Sequence, residues 1–346
     1  MVLEEGVRDP TAVARVHAQG YGAQVLYTYQ NAIKGYAARI PDQQLDRVRA
    51  DAQVAYVERD QTMEIVVQIL PWGIDKIDAD LSATARAGNG SGTVSGVNAY
   101  IIDTGIYAHT DLRVVKHVNF AGAGKNRDCN GHGTHVAGTV AAKDNTSDVV
   151  GVAPDAPLTG VKVLGCRGSG STSGVIKGVD WVTANARKPA IANMSLGGGL
   201  SRALDDAVRK SASRGVFYSL AAGNADADAC KSSPARAGAG TNNGIMTVAA
   251  TDELDRETSW SNYGRCVDVW APGARILSTK KGGGITTMGG TSMASPHGGG
   301  GGALYLSSHP GAGSSTVEGA LKAAAMKPGT QSKGGRAVLL ENVGGF

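Results

Sequence analysis

The chain has 346 residues, 42% of them hydrophobic and 18% charged, and a formal charge of +4. That length and balance imply a folded protein of one large or two unequal domains and exclude a disordered chain. The small charge and the absence of a basic run exclude a nucleic-acid binder. No apolar stretch approaches the ~20 residues that span a membrane.

In chain order, the first segment reads as a small α+β unit with seven Lys/Arg against nine Asp/Glu in residues 1–67. Thr11 to Gln19 carries a helical pattern, Gln24 to Tyr29 a strand, and Ala37 to Ile40 another. Asp42 to Ala50 is expected as a helix and Val54 to Val57 as a closing strand. The N-terminus, Met1-Val-Leu-Glu-Glu-Gly6, lacks the charged start and apolar stretch of a signal peptide.

After Trp72 strands and helices alternate. Val97–Ile102 is nearly all apolar, as a strand buried on both faces should be. Similar runs follow at 160–164, 190–194, 216–220 and 245–248, with helical stretches at Ser173–Ala186 and Ser201–Arg214 between them. Repeated strand–helix–strand units imply an α/β fold, a mostly parallel sheet with helices on both faces. No internal repeat is visible. Fifty glycines, about twice the usual ~7%, indicate many tight turns and close backbone approaches.

In such a sheet the site forms beyond the carboxyl ends of the strands. Asp103 stands there, in Ile101-Ile-Asp-Thr-Gly105; alone it is an ordinary turn former. His132 lies in Asn130-Gly-His-Gly-Thr-His-Val-Ala-Gly138, where flanking glycines admit close backbone approach. Its partner His135 is three residues on, whereas zinc-protease histidines are four apart with a Glu after the first. Ser292, in Gly289-Gly-Thr-Ser-Met-Ala-Ser-Pro-His297, opens a helix; alone it is an N-cap, but its small neighbours leave the hydroxyl accessible. Asn224, in Ala221-Ala-Gly-Asn224, follows a strand and is placed to aim its amide at the same crevice. Together these residues supply orienting acid, base, nucleophile and oxyanion donor, in the chain order Asp…His…Ser.

The three blocks around Asp103, His132 and Ser292 resemble the signature motifs of the subtilase family of serine proteases, from about Pro71 to near residue 340. The resemblance implies a subtilisin-like α/β fold and broad-specificity endopeptidase activity with no catalytic cofactor. Asp103, His132 and Ser292 would be the triad and Asn224 the oxyanion donor. Gly168, Ser169 and Gly170 would pair with substrate backbone, and Ser195, Leu196 and Gly197 would wall the primary pocket. Four cysteines permit three connectivities; the resemblance, here to the proteinase K and aqualysin-like branch, selects Cys129 with Cys166 and Cys230 with Cys266. Two structural disulfides imply secretion.

Residues 1–67 resemble the family's inhibitory prodomain, through Tyr29–Ala38 and Val57–Asp60. The expectation is therefore a self-cleaving zymogen. An N-terminally shortened, ferredoxin-like prodomain at 1–67 would inhibit the peptidase domain at 68–346, with autocleavage within 64–70. The partners implied are protein substrates and the chain's own prodomain; nucleic acid and membrane are excluded, and a monomer is expected. By resemblance Asp268, with carbonyls of Asn243 and Ile245, would hold a structural calcium ion. Against activity stands the run Gly298–Gly302 in the helix that carries Ser292. At ~1 kcal/mol per glycine relative to alanine the run costs about 5 kcal/mol. Either packing holds the helix, its apolar face resuming at Ala303–Leu306, or Ser292 is poorly anchored. The alternative reading is thus a catalytically weak or inactive binding or regulatory protein of the same fold.

Overall fold

The computed structural model describes residues 1–60, 68–122 and 124–346. Its contacts divide the chain into two units, Met1–Ile65 and Val66–Phe346. The expected 67/68 junction and residues 64–67 of the expected cleavage region lie outside the described residues.

The first unit runs β1 (Val2–Leu3), α1 (Pro10–Tyr21), β2 (Gln24–Tyr29), β3 (Gly35–Arg39), α2 (Leu45–Arg49) and β4 (Val54–Tyr56). Its antiparallel sheet has the order β2-β3-β1-β4, the βαββαβ arrangement of ferredoxin-like units. Helix α1 starts before the apolar pattern does because Asp9 caps it, accepting from Thr11 N and Ala12 N, with Pro10 in the first turn. Gly22 ends it in the left-handed region at φ +65°. The apolar faces of the helices and sheet meet at Leu3, Ala14, Tyr36 and Val48.

The second unit begins with α3 (Trp72–Lys76) and β5 (Asn98–Asp103), followed by β6 (Val114–Asn119), α4 (His132–Ala141), β7 (Leu158–Lys162) and α5 (Thr172–Asn185). Next come β8 (Ala190–Met194), α6 (Arg202–Ser213), β9 (Val216–Ala221), β10 (Ile245–Thr251) and β11 (Val269–Pro272). A hairpin, β12 (Ile276–Thr279) and β13 (Ile285–Met288), leads to α7 (Thr291–Ser308) and α8 (Ser314–Ala324).

Seven strands form one sheet in the order β11-β10-β9-β8-β5-β7-β6, every pair parallel. Strands β8, β9 and β10 are buried along their whole length, which is why their sequences read as unbroken apolar runs. One face is covered by α5 and α6 through Val175, Val179, Val182, Leu204 and Val208. The other carries α4 and α7 through Val136, Val140, Ala294 and Leu304. From β5 the chain passes out to β6, back to β7, and then across to β8 on the other side. The sheet therefore reverses direction beside β5, and a crevice opens at its carboxyl edge.

Helix α7 is continuous through its five glycines, and all five are buried. A Cβ on Gly300 would come within 2.5 Å of Val152 Cβ, and one on Gly302 within 2.5 Å of the Phe217 ring. One on Gly298 would meet Met246 Cε at 2.5 Å. The glycines thus let the helix lie against the sheet closer than any side chain allows. Of the two expected outcomes, packing holds the helix and supplies what propensity withholds.

Glu341 lies against this helix, fully buried, with neither carboxylate oxygen hydrogen-bonded among the described residues. Burial pushes its pKa from the ordinary 4.5 up to about 8. The folded chain therefore holds a proton that the unfolded chain releases, so this group's contribution to stability is full below pH 4.5 and is lost as pH rises to about 8. Glu341→Gln should flatten the fall in Tm between pH 5 and pH 9. Parallel Tm–pH curves for the two proteins would contradict this.

Candidate active site

Asp103 ends β5 and is wholly buried; its Oδ1 accepts from Thr104 N at 2.6 Å and from His132 Nδ1 at 2.8 Å. That donation fixes the imidazole tautomer and leaves Nε2 free to accept a proton. Burial pulls the His132 pKa down, but the charge and hydrogen bond of Asp103, with Asp128 beyond it, outweigh this, so it stands above the ordinary histidine value. His132 is the first residue of α4. Gly131 precedes it at φ +118°, and Gly133 is required because a Cβ there would fall 2.2 Å from Gly105 O.

Ser292 is the second residue of α7. Its hydroxyl donates to the Ser195 carbonyl at 3.2 Å, and in return Ser195 Oγ donates to the Ser292 carbonyl at 2.7 Å. The second bond has a sequence cause. Pro296, four residues on, has no N–H to give that carbonyl, and the Ser195 hydroxyl takes its place. From its bond to Ser195 the Ser292 hydroxyl must rotate toward His132 to be activated, a common state of such sites without substrate. Asn224 Oδ1 accepts from Thr291 N at 2.8 Å and Thr291 Oγ1 at 2.9 Å. Asn224 is exposed beside the N-terminus of α7 and borders a neighbouring pocket with Gly289 and Gly290, not the cleft that His132 and Ser292 line.

His132 and Ser292 border one cleft of about 420 Å³ together with Gly168, Ser169, Gly170, Ser195, Leu196 and Gly197. The residues expected to hold substrate are therefore brought together with the base and nucleophile. Sequence reasoning missed the apolar lining of the same cleft, namely Leu164, Val175 and Leu204. The helical periodicity of α5 and α6 marks the last two only as core. The cysteines pair as Cys129–Cys166 and Cys230–Cys266, the first tying the loop before His132 to the segment after β7.

Asn243, Ile245 and Asp268 lie apart from this cleft. Asp268 Oδ2 accepts from Thr247 N at 2.8 Å and Oδ1 from Lys322 Nζ at 3.0 Å. The N–H groups of Asn243, Gly244 and Ile245 all point to Glu318 Oε2, and Glu318 Oε1 also pairs with Lys322. With an ammonium already between the two carboxylates, these residues do not fit a divalent cation as well.

A family model described as the subtilase family matches residues 94–344. The chain belongs to the subtilase family. A second model, peptidase inhibitor I9, matches residues 7–66. This subtilase is 44% identical over 310 residues to the alkaline serine exoprotease A of Vibrio alginolyticus, covering 86% of this chain and 56% of that protein. It thus spans little more than half of that relative's length. It is 43% identical over 337 residues to the extracellular serine proteinase of Thermus sp. strain Rt41A, covering 92% and 78% of the two chains. Among solved structures it resembles a cold adapted subtilisin-like serine proteinase, with TM-score 0.69 and 43% identity over 79% of this chain and 97% of that one. By sequence and fold this subtilase is a subtilisin-like serine protease that carries an inhibitor-type prodomain in the same chain.

Proposed function

We propose that the chain is a secreted, broad-specificity serine endopeptidase made as a self-cleaving zymogen, with Asp103, His132 and Ser292 as its triad. The observation that carries this is the oriented imidazole of His132, held by Asp103 at 2.8 Å on the cleft that also exposes Ser292. His132 Nε2 takes the Ser292 proton as the oxygen attacks a peptide carbonyl, and later returns it to the leaving amine; Asp103 stabilises the imidazolium between the two steps. The Asn224 amide and the Ser292 N–H face the oxyanion that forms. Substrate backbone lies as an added strand between 168–170 and 195–197, so main-chain hydrogen bonds carry much of the binding and specificity is broad. The apolar lining of Leu164, Val175, Leu196 and Leu204 favours apolar substrate side chains. Residues 1–67, matched over 7–66 by the inhibitor model, act as an intramolecular inhibitor until they are cut away and degraded. Two disulfides and the extracellular relatives support export.

The test is to express the chain and follow precursor size, hydrolysis of an unfolded protein and labelling by a serine-directed phosphonate. Cleavage of the precursor, with the label mapped to Ser292, is the expected result. An uncut chain that neither hydrolyses nor labels removes the proposal. Asn224→Ala should lower kcat by about 10²–10³-fold with little change in KM, the size measured for such a donor in a subtilisin. A large KM effect with kcat intact would reassign Asn224 to substrate binding.

A further inference from the structure

The loop before α4 carries a second buried carboxylate that peptide hydrolysis as described above does not use. Asp128 is almost wholly buried. Its Oδ1 accepts from Thr104 Oγ1 at 3.0 Å, Asn130 N at 2.8 Å and Gly131 N at 2.9 Å. Its Oδ2 accepts from Thr134 N at 3.0 Å and Thr134 Oγ1 at 2.5 Å. Thr104 Oγ1 in turn accepts from Gly133 N at 2.9 Å, and the Asp128 N–H donates to Ile106 O at 3.2 Å. Asp128 therefore binds the chain on both sides of His132, at 130–131 and at 134, and the chain just beyond Asp103, at Thr104 and Ile106, with Gly133 reached through Thr104 Oγ1.

We propose that Asp128 is a positioning residue for the acid–base pair, fixing the separation of Asp103 and His132 and supplying negative charge to the imidazolium formed during turnover. The proposal rests on the reading of Asp103 and His132 as that pair.

The geometry supports it in two ways. The Asp103–His132 hydrogen bond joins a strand end to a helix start, two elements with no covalent link shorter than the 103–132 segment. Asp128 gathers donors from both sides, so a shift of the His132 side stretches four charge-assisted bonds and a shift of the Asp103 side stretches the one from Thr104. The charges near the imidazole also favour its protonated state. Facing it are Asp103 from β5 and Asp128 from the loop. Lys162, at the end of β7, is buried behind them and donates to Thr104 O at 2.7 Å and Leu164 O at 2.8 Å. The neighbouring imidazoles add no positive charge. His117 Nε2 accepts from Ile106 N, and burial holds His117 below its ordinary pKa. His135 sits between two carbonyls with burial pushing its pKa down to about 4. Lys281, after β12, also comes close and donates to Cys129 O at 2.9 Å, so the imidazolium formed when His132 takes the Ser292 proton is held by Asp103 and Asp128 with two ammonium groups beyond them. Asp128 is among the groups that raise the His132 pKa.

Two variants of the full chain separate charge from placement, each with kcat normalised to the fraction of Ser292 that reacts with a phosphonate. Asp128→Asn removes the charge. Its kcat should fall about 10- to 100-fold with KM within about twofold, as a small misplacement of reacting groups costs. The acid limb of its kcat/KM profile should move to lower pH by about half a unit to one unit. Thr104→Val keeps the charge but cuts the link to Gly133; its kcat should fall while the acid limb stays in place. A wild-type rate and an unmoved acid limb in Asp128→Asn would overturn the proposal. So would a loss fully explained by fewer reactive serines, because a merely structural carboxylate gives that result. If Asp128→Asn does not fold, an unchanged kcat in Thr104→Val is sufficient to overturn it. A wild-type chain without activity would instead bring down the triad reading itself.

Discussion

Replacing Ser292 with alanine will lower turnover by about 10⁶-fold, the cost reported for deleting the nucleophile of a subtilisin, and will leave the precursor uncut. The size follows from the way the three groups act. His132 has no proton to take once the hydroxyl is gone, and Asp103 then orients an idle base. What remains is the electrostatic contribution of Asn224 and the substrate groove, about 10³–10⁴ over water. Stability should hardly change, since the Ser292 hydroxyl makes one hydrogen bond, to Ser195 O at 3.2 Å, and the helix around it is built from other residues. Matching Tm values with and without the hydroxyl, alongside turnover and precursor size, give the check. A Ser292→Ala chain that still matures and hydrolyses protein would rule out Ser292 as nucleophile.

Alanine in the buried glycine run will destabilise the protein, although alanine is the better helix former. Gly300 faces Val152 and Gly302 faces Phe217, both at 2.5 Å from where a Cβ would stand, and neither neighbour is the free end of a flexible chain. Overpacking of this kind costs about 1–3 kcal/mol per site, against which the helix gains about 1 kcal/mol from losing a glycine. The triple change Gly298→Ala, Gly300→Ala and Gly302→Ala should thus cost up to about 6 kcal/mol net, a large share of a typical 5–15 kcal/mol. Gly299 is the internal control. Its nearest neighbour is Asn193 Oδ1 at 3.4 Å, an ordinary contact, so Gly299→Ala should be neutral or raise Tm. Urea unfolding of the four variants in the Ser292→Ala background separates these outcomes. Equal gains at all four positions would mean that the helix is not pressed on the sheet.

Much of this was readable from the sequence, for identifiable reasons. Strands buried on both faces announce themselves as apolar runs, so β5, β8 and β9 match their expected ranges to within a residue, and β10 starts where expected but runs three residues further. Edge strand β6, Val-Val-Lys-His-Val-Asn, has no fully buried residue and no such run. The β12–β13 hairpin and β11 are four residues each, too short for a period to show. The glycine run left two outcomes open because propensity is local, whereas the partners that need the space, Val152 and Phe217, are far away in sequence. The surroundings of Asp268 are hidden from the sequence for the same reason. Its Lys322 partner lies 54 residues on, in α8, and no motif joins them. Asp128 sits only four residues before His132, and four of its five donors lie within six residues of it, but its link to Thr104, 24 residues back, comes from the fold and leaves no mark on the sequence.

Ser195 and Ser292 hold each other in both directions, hydroxyl to carbonyl and hydroxyl to carbonyl again. The cleft wall at 195–197 and the start of α7 are thereby one mechanical piece, so a substitution that shifts that wall also shifts Ser292.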